Sequence, residues 1–228
     1  MAPQCFQFQN TDVLMPIDPV GQGSWISVNE HGLSLCLLNF YQGKTPTKVL
    51  QSRGQLLKSL SHLNNISAVN LHLTSLDLSC FAAFSLVVFE TVQQSSSRSS
   101  FDVRCFQWNG VRLEILNLTR SMITSSSVKF DHVAPMRAGY YDKLGENPSS
   151  NALIDFHFNH QPAKGFESVC MHRDDAKTVS FSHITVSNSN IAFSYLGNSP
   201  CKGGKPVDVF IQKNKQYSHT DASESELA

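Results

Sequence analysis

The order of hydrophobic and polar positions in the first third of the chain predicts a β-hairpin followed by two helices. Residues 24–28 form a short mixed run, residues 29–32 are polar, and residues 33–40 are almost entirely apolar. An apolar run bounded by turn residues is typical of a buried strand, so we predict a hairpin whose second strand is buried. Apolar residues at helical spacing predict helices over residues 53–63 and 66–79.

The remainder of the chain shows strand patterns grouped around one further helix. We predict this helix over residues 128–144, whereas residues 145–165 are loop-rich with strand-like alternation, and residues 1–22 are weakly patterned. The predicted strands are short runs at residues 81–90, 101–108, 111–116, 178–186, 190–195 and 207–211. Hairpins with helices grouped between them favour an α+β fold over alternating βαβ units.

Length and charge narrow the class of protein. A chain of 228 residues can bury a sizeable core, and we predict a single domain over residues 1–212 followed by a disordered tail over residues 213–228. The 18 basic and 18 acidic residues cancel without any basic cluster, which disfavours nucleic acid as a partner. No apolar run approaches the roughly 18 residues that a membrane-spanning helix needs.

The cysteines indicate a reducing compartment. They are widely scattered without any Cys-x-x-Cys pair, at positions Cys5, Cys36, Cys80, Cys105, Cys170 and Cys201. This pattern is typical of free thiols rather than of disulfides or zinc ligands. Because the first residues lack the basic and apolar regions of a secretion signal, we expect a cytoplasmic protein.

Asn39 is the first candidate functional residue, because it stands at the end of the most apolar predicted strand. A carboxamide there is costly unless its polar atoms find partners. A hydrogen-bond donor for a substrate oxygen would suit this position.

Four segments together resemble the NRDE family, which includes proteins of the transport and Golgi organisation type. They are residues 23–29 (GSWISVN), 37–41 (LLNFY), 52–56 (SRGQL) and 168–180 (SVCMHRDDAKTVS). The strand pair around Asn29 and Asn39 also resembles that of cholylglycine hydrolases and penicillin V acylases. This resemblance implies an N-terminal-nucleophile-hydrolase-like αββα sandwich, with two antiparallel sheets between layers of helices.

The resemblance also implies a chemistry. In such hydrolases a cysteine exposed by removal of the initiator methionine attacks an amide carbonyl, and its own α-amine serves as the base. An α-amine has a pKa of roughly 7.7 to 8 and can therefore accept a proton near neutral pH. The expected substrates contain carbon–nitrogen bonds other than peptide bonds.

This chain departs from the family pattern at its start. The family signature begins Met-Cys and contains Asn-Arg-Asp-Glu, whereas this chain begins MAP and has no such tetrapeptide. We therefore expect the sandwich to lack its first strand and the chain as given to be inactive; a misplaced start codon and a genuine loss would each explain this. Cys5 is a poor substitute nucleophile, because only 20 residues separate it from Trp25.

The resemblance gives roles to two further residues. Asn39 would be the amide of an oxyanion hole, and Arg173 would be the arginine beside the nucleophile, where a cation lowers the pKa of a thiol. The alternative for Arg173 is an exposed turn in which Asp174 or Asp175 holds its side chain. The other expected pocket residues are Trp25, Asn29, Arg53, Thr124, Ser125 and His172.

Two of these pocket residues have other interpretations. Thr124 and Ser125 precede the predicted helix over residues 128–144 and could equally serve as its N-cap. Cys170 and His172 share one face of an extended segment, but no further ligands are evident in the sequence, so we predict no metal and no cofactor.

Two functions remain open at this level. One is an amidase-like protein that has lost its nucleophile, and the other is a non-catalytic binding or trafficking protein for an apolar ligand. Haem and acyl lipids are the ligands that the family resemblance implies. The expected partner is therefore a small molecule with an amide or an apolar body, and the oligomeric state stays open.

Overall fold

Within the residues that the computed structural model describes, 1–47, 50–93, 99–118 and 121–214, ten strands form two antiparallel sheets. The larger sheet follows chain order and consists of β1 (Gln4–Phe8), β2 (Thr11–Met15), β3 (Ile26–Asn29), β4 (Ser34–Asn39), β5 (Phe84–Gln93), β6 (Ser99–Trp108) and β7 (Leu113–Leu116). The smaller sheet, in the order β10-β9-β8, consists of β8 (Phe181–Val186), β9 (Asn190–Leu196) and β10 (Val207–Gln212).

The helices occupy two separate stretches of the described chain. They are α1 (Arg53–Leu60), α2 (Ile66–Ser75), α3 (Phe130–Asp142) and α4 (Ser150–Phe158), with short 3₁₀ turns at Leu78–Cys80 and Pro200–Lys202. The Asn65 side chain caps α2 by accepting a hydrogen bond from the amide of Ala68. No helix in the described ranges is long and apolar enough to cross a membrane.

The first hydrophobic core lies between the large sheet and the helices α1 and α2. Alternate residues of β4 and β5 face the apolar sides of these helices, because side chains alternate along a strand. The buried contacts include Leu33 and Leu35 from the sheet region and Leu57, Leu60 and Leu73 from the helices. The leucine spacing that predicted these helices therefore marks their buried faces.

The second core lies between the two sheets. Leu14 and Val28 of the large sheet pack against Ile191, Phe193 and Tyr195 of β9. This stacking covers the β1–β3 side of the large sheet, since β10 contacts β1 and β2.

The fourth layer is a helix on the small sheet. Phe158, at the end of α4, packs edge-on against Phe181 of β8, with 5.2 Å between the ring centroids. Ile184 and Val186 of β8 face the large sheet, so alternation places Phe181 on the opposite side. The layers therefore run helix, sheet, sheet, helix, which confirms the predicted α+β sandwich.

Two sequence predictions about secondary structure are wrong. Residues 1–22, predicted to be weakly patterned, contain the β1–β2 hairpin, in which Cys5 pairs with Leu14. Residues 150–158 form α4 rather than a loop with strand-like alternation, because Ser149 caps the helix and Phe156 is buried against Tyr141. Burial of β2 and of Phe156 thus outweighs the local pattern at the two places.

Two expectations concern residues that the structure does not describe. Most of the predicted tail, residues 215–228, lies outside the described residues, whereas Lys213 and Asn214 donate backbone hydrogen bonds to Ser189 and Glu30. The expected absence of a first strand refers to sequence outside this chain and stays a prediction.

A close approach of two glycines joins the start of α1 to the loop before β3. The amide of Ser24 donates to the carbonyl of Gly54 at 3.1 Å. A Cβ atom at Gly23 would lie 2.7 Å from Gly54 Cα, and one at Gly54 would lie 2.9 Å from Gly23 Cα. Neither position has room for a side chain, and each glycine belongs to one of the segments that carry the family resemblance.

We expect Gly54→Ala to lower the free energy of unfolding by about 1–3 kcal/mol, because the new methyl group meets backbone atoms that cannot move independently. Helix propensity alone would predict the opposite sign, since Gly54 lies inside α1. Urea denaturation followed by far-UV circular dichroism measures the change.

Gly139→Ala is the matched control, because Gly139 also lies inside a helix but has open space around its Cα. That substitution should raise the free energy of unfolding by about 0.5–1 kcal/mol. Equal stabilisation by both substitutions would contradict the proposed close approach.

Candidate functional site

Two clefts flank the end of β4. The large cleft, of about 720 Å³, is enclosed by residues 121–127, α3, α4, residues 166–178 and the start of β8. The small cleft, of about 330 Å³, lies between residues 23–25, the end of β4 and residues 50–54 at the start of α1. Both volumes fall within or near the range of about 300–1,000 Å³ that small-molecule sites occupy.

Asn39 lines the small cleft and directly follows a residue that lines the large cleft. Leu38 faces the large cleft, whereas Leu37 and Asn39 line the small cleft, as expected from alternation along β4. The Asn39 amide nitrogen donates to the Tyr41 hydroxyl at 2.9 Å, and the Asn39 carbonyl accepts from the Ser125 hydroxyl. The amide carries two hydrogens, and among the described residues only the Tyr41 hydroxyl accepts one of them, so the other is available for a molecule in the small cleft.

The small cleft brings together three of the residues expected from the sequence. Trp25, Arg53 and Asn39 all line it, together with Asp18. One Arg53 nitrogen donates to the carbonyl of Ala83 at 2.8 Å, and burial lowers the pKa of the Arg53 guanidinium. An amide, a guanidinium and an indole around one cleft suit a ligand that offers oxygen acceptors beside an apolar surface.

Arg137 in α3 organises the wall of the large cleft. Its side chain is buried, the residue being 7% exposed, and burial lowers the pKa of its guanidinium. The guanidinium donates to five oxygens, none of them a carboxylate: Thr124 Oγ1 (2.8 Å), Ser125 O (3.3 Å), Phe166 O (3.0 Å), Glu167 O (3.0 Å) and Ser168 O (2.8 Å). A single side chain thereby ties residues 124–125 to residues 166–168.

The large cleft contains three more residues that the sequence singled out. Thr124, Ser125 and Arg173 all line it. The Arg173 guanidinium donates to both carboxylate oxygens of Asp175, at 2.8 and 2.9 Å, and to the Ser127 hydroxyl at 3.1 Å. Arg173 thus makes the expected turn contact with Asp175 and also lines a cleft.

The remaining wall of the large cleft is mainly apolar. Rings and aliphatic side chains come from α3, α4, β8 and the segments between them, and they include Ile123, Tyr141, Leu153, Phe156, Phe166 and Phe181. His157 also lines the cleft, and burial lowers the pKa of its imidazole, which favours the neutral form.

Three of the residues expected from the sequence, Asn29, Cys5 and His172, line neither cleft. Asn29 is fully buried and serves the β3–β4 turn, where its side-chain oxygen accepts from the amides of His31 and Leu33. Its side-chain nitrogen donates to the carbonyls of Ser61 and Leu63 beyond α1. All of its polar atoms are therefore used within the fold.

Cys5, the disfavoured candidate nucleophile, is exposed on strand β1 at one edge of the large sheet. Partial burial of the sulfur and the nearby Asp12 carboxylate raise the pKa of its thiol. A raised pKa leaves less thiolate, which is the nucleophilic form.

His172 lies in a separate cluster beside the large cleft. Its Nε2 atom is 3.6 Å from Cys170 Sγ and 3.3 Å from Cys201 Sγ, and its ring meets the ring of His160 edge-on. The sequence pattern indicated only Cys170 and His172, because His160 and Cys201 lie at least ten residues away from them in the chain.

The predictions from the sequence also did not include Arg137 among the functional residues, although one signal was available. It lies four residues after Val133, so both residues share a face of the predicted helix, and both are buried. An arginine on the apolar face of an amphipathic helix requires buried acceptors, and that requirement could have marked it.

We expect Arg137→Lys to lower the free energy of unfolding by about 2–4 kcal/mol, because an ammonium has three donors and cannot reach five fixed acceptors. At least two buried oxygens would lose their partner. Urea denaturation measures the change.

Arg112→Lys provides the matched control, because the Arg112 side chain is 75% exposed and pairs with Glu114 at the surface. This substitution should change the free energy of unfolding by less than about 0.5 kcal/mol. A similarly small effect of Arg137→Lys would contradict the structural role given to Arg137.

Comparison with known proteins gives one informative match. No curated protein matches the chain. Residues 1–135, which are more than half of the chain, match the family model described as Transport and Golgi organisation 2. The matched segment contains β1–β7, the small cleft and the loop that carries Thr124 and Ser125. The chain therefore belongs to the Transport and Golgi organisation 2 family.

Proposed function

We propose that this protein binds an apolar molecule that carries an acidic group. The observation that supports this function best is the large cleft, whose volume of about 720 Å³ suits a small molecule. Its described wall is mainly apolar, and two arginines, Arg137 and Arg173, line it. Such a combination favours an apolar body with one anionic end.

Arg173 is the residue that would meet the anionic end. Arg137 also lines the cleft, but its five hydrogen bonds to the protein leave it no free donor. The partner of Arg173, Asp175, has a side chain that is 74% exposed, so its contribution to stability is small. A ligand carboxylate could therefore replace Asp175 at little cost.

Haem and acyl lipids are the two ligand classes that membership of the family suggests. The neutral imidazole of His157, together with His183 nearby in the cleft, offers nitrogen ligands for a haem iron. An acyl lipid would use the apolar wall and Arg173 alone.

All six cysteines are free thiols in the structure, which supports a reducing, cytoplasmic location.

A second candidate function is hydrolysis of a carbon–nitrogen bond in an amide that is not a peptide. Its support is the position of Asn39, whose amide lines the small cleft beside Arg53 and Trp25. None of the described residues that line either cleft is a cysteine, so the site lacks the thiol that the family chemistry requires. We therefore rank this function below ligand binding.

We expect haem or a fluorescent fatty acid to bind the purified full chain saturably, and Arg173→Gln to weaken that binding about tenfold through loss of a charged hydrogen bond. Asp175→Asn should instead strengthen binding about two- to fivefold, because it frees the guanidinium. Absorption or fluorescence titration gives the dissociation constants.

Arg104 and Asp102 supply the matched control. Like Arg173 and Asp175 they are two residues apart in the sequence, and they form an exposed ion pair of 2.7 Å outside the large cleft. Arg104→Gln and Asp102→Asn should leave the dissociation constants unchanged. The proposal would be disproved if neither probe bound saturably. It would also be disproved if Arg173→Gln and Arg104→Gln changed the dissociation constants equally.

For the hydrolase candidate, we expect the chain to release no amine from simple acyl amides. If turnover is observed, Asn39→Ala should lower it by roughly 10²- to 10³-fold, the usual effect of removing one oxyanion donor. Cys5→Ser in the same assay tests the exposed thiol. Turnover that depends on both residues would reverse the ranking of the two functions.

A further inference from the structure

Two histidines and two cysteines from two separate segments meet beside the large cleft. His160, Cys170 and His172 lie in the connection between α4 and β8, and Cys201 lies in the 3₁₀ turn Pro200–Lys202. One ligand atom from each residue lies within 4.8 Å of the other three. We propose that this cluster is a structural zinc site, a role that the sequence alone did not predict.

The spacing of the donor atoms agrees with tetrahedral coordination. Zinc bonds of about 2.3 Å to sulfur and about 2.0–2.1 Å to nitrogen place neighbouring donors roughly 3.4–3.8 Å apart. His172 Nε2 lies 3.6 Å from Cys170 Sγ and 3.3 Å from Cys201 Sγ. Only small side-chain movements would therefore be needed to bind the ion.

His160 provides an independent observation that points to a ligand. Its Nε2 atom is buried and has no hydrogen-bond partner among the described residues. A buried nitrogen without a partner normally costs about 1–3 kcal/mol of stability. Coordination of a metal would satisfy this atom, and Cys170 beside it is fully buried.

The chemistry of the donors selects the metal. Two thiolates and two imidazoles are soft or intermediate ligands, which suit zinc and disfavour calcium and magnesium. Four protein ligands complete a tetrahedron and leave no position for substrate, so the site would be structural rather than catalytic. In a reducing compartment, paired cysteines of this kind bind metals more often than they form disulfides.

The position of the cluster indicates what the ion would stabilise. Residues 159–180 connect α4 to β8 without a helix or strand of their own. A connection of this length needs interactions other than secondary structure to hold its conformation. Within this segment Val169, Met171 and Arg173 line the large cleft, whereas Cys170 and His172 contribute to the cluster. The zinc ion would therefore hold the wall of the cleft from behind, whatever the cleft binds.

Metal analysis of the purified full chain tests the site directly. We expect about one zinc ion per chain by mass spectrometry of the elements, and less than a tenth of that in Cys170→Ser and Cys201→Ser. Cys5→Ser is the matched control and should retain the full amount, because Cys5 is exposed on β1. Equal zinc loss in Cys5→Ser and Cys201→Ser would overturn the proposal.

Cobalt substitution keeps the test decisive if the cysteine variants fail to fold. Wild-type protein stripped of metal and titrated with Co²⁺ should develop the visible bands of a tetrahedral site and thiolate-to-cobalt charge transfer, saturating at one ion per chain. Added Zn²⁺ should remove these bands and raise the melting temperature. Wild-type protein without zinc and without cobalt bands, or with a Cys170–Cys201 disulfide formed under reducing conditions, would overturn the proposal.

Discussion

The buried guanidinium of Arg137 is the interaction on which the geometry of the large cleft depends. A buried cation without a carboxylate partner is costly unless dipoles surround it. Here four backbone carbonyls and one hydroxyl do so, and they come from residues 124–125 and 166–168. Because each carbonyl must keep its donor, the two segments cannot move apart, and the cleft between them keeps its shape.

The two segments that Arg137 holds together also position other residues of the two clefts. Ser125 donates to the carbonyl of Asn39, so the segment held by Arg137 also supports the end of β4. On the other side, Ser168 is followed by residues 169–173. Their side chains alternate between the large cleft and the histidine–cysteine cluster, so this segment separates the two. The close approach of Gly23 and Gly54 acts similarly for the small cleft, because it sets the distance between Trp25 and Arg53.

The chain belongs to the Transport and Golgi organisation 2 family, and its two clefts are the places where a small molecule could bind. The six thiols lie at a sheet edge, within strands, in the 3₁₀ turn Leu78–Cys80 or in the histidine–cysteine cluster, and the described walls of both clefts contain none of them. Among its described residues the large cleft offers apolar surface and the Arg173 guanidinium, whose partner Asp175 is exposed. A cleft wall held by Arg137 on one side and by the proposed zinc ion on the other would be preorganised for its ligand.

The sequence by itself determined the elements whose signals are local: the β3–β4 hairpin, the leucine faces of α1 and α2, the strands β5–β10 and, through its motifs, the αββα arrangement. It also identified Asn39 and Arg173 as site residues, although it expected both in one pocket and the structure places them in two different clefts. It failed at β1, β2 and α4, because β2 and Phe156 of α4 are buried against distant residues and β1 is held by pairing with β2. Only the tertiary structure decided that Arg137 joins two loops, that the Asn29 side chain bonds to the chain beyond α1, and that His160 and Cys201 meet Cys170 and His172. These contacts join residues some 10 to 40 positions apart. No periodicity along the chain encodes them, because they arise when separate elements pack together.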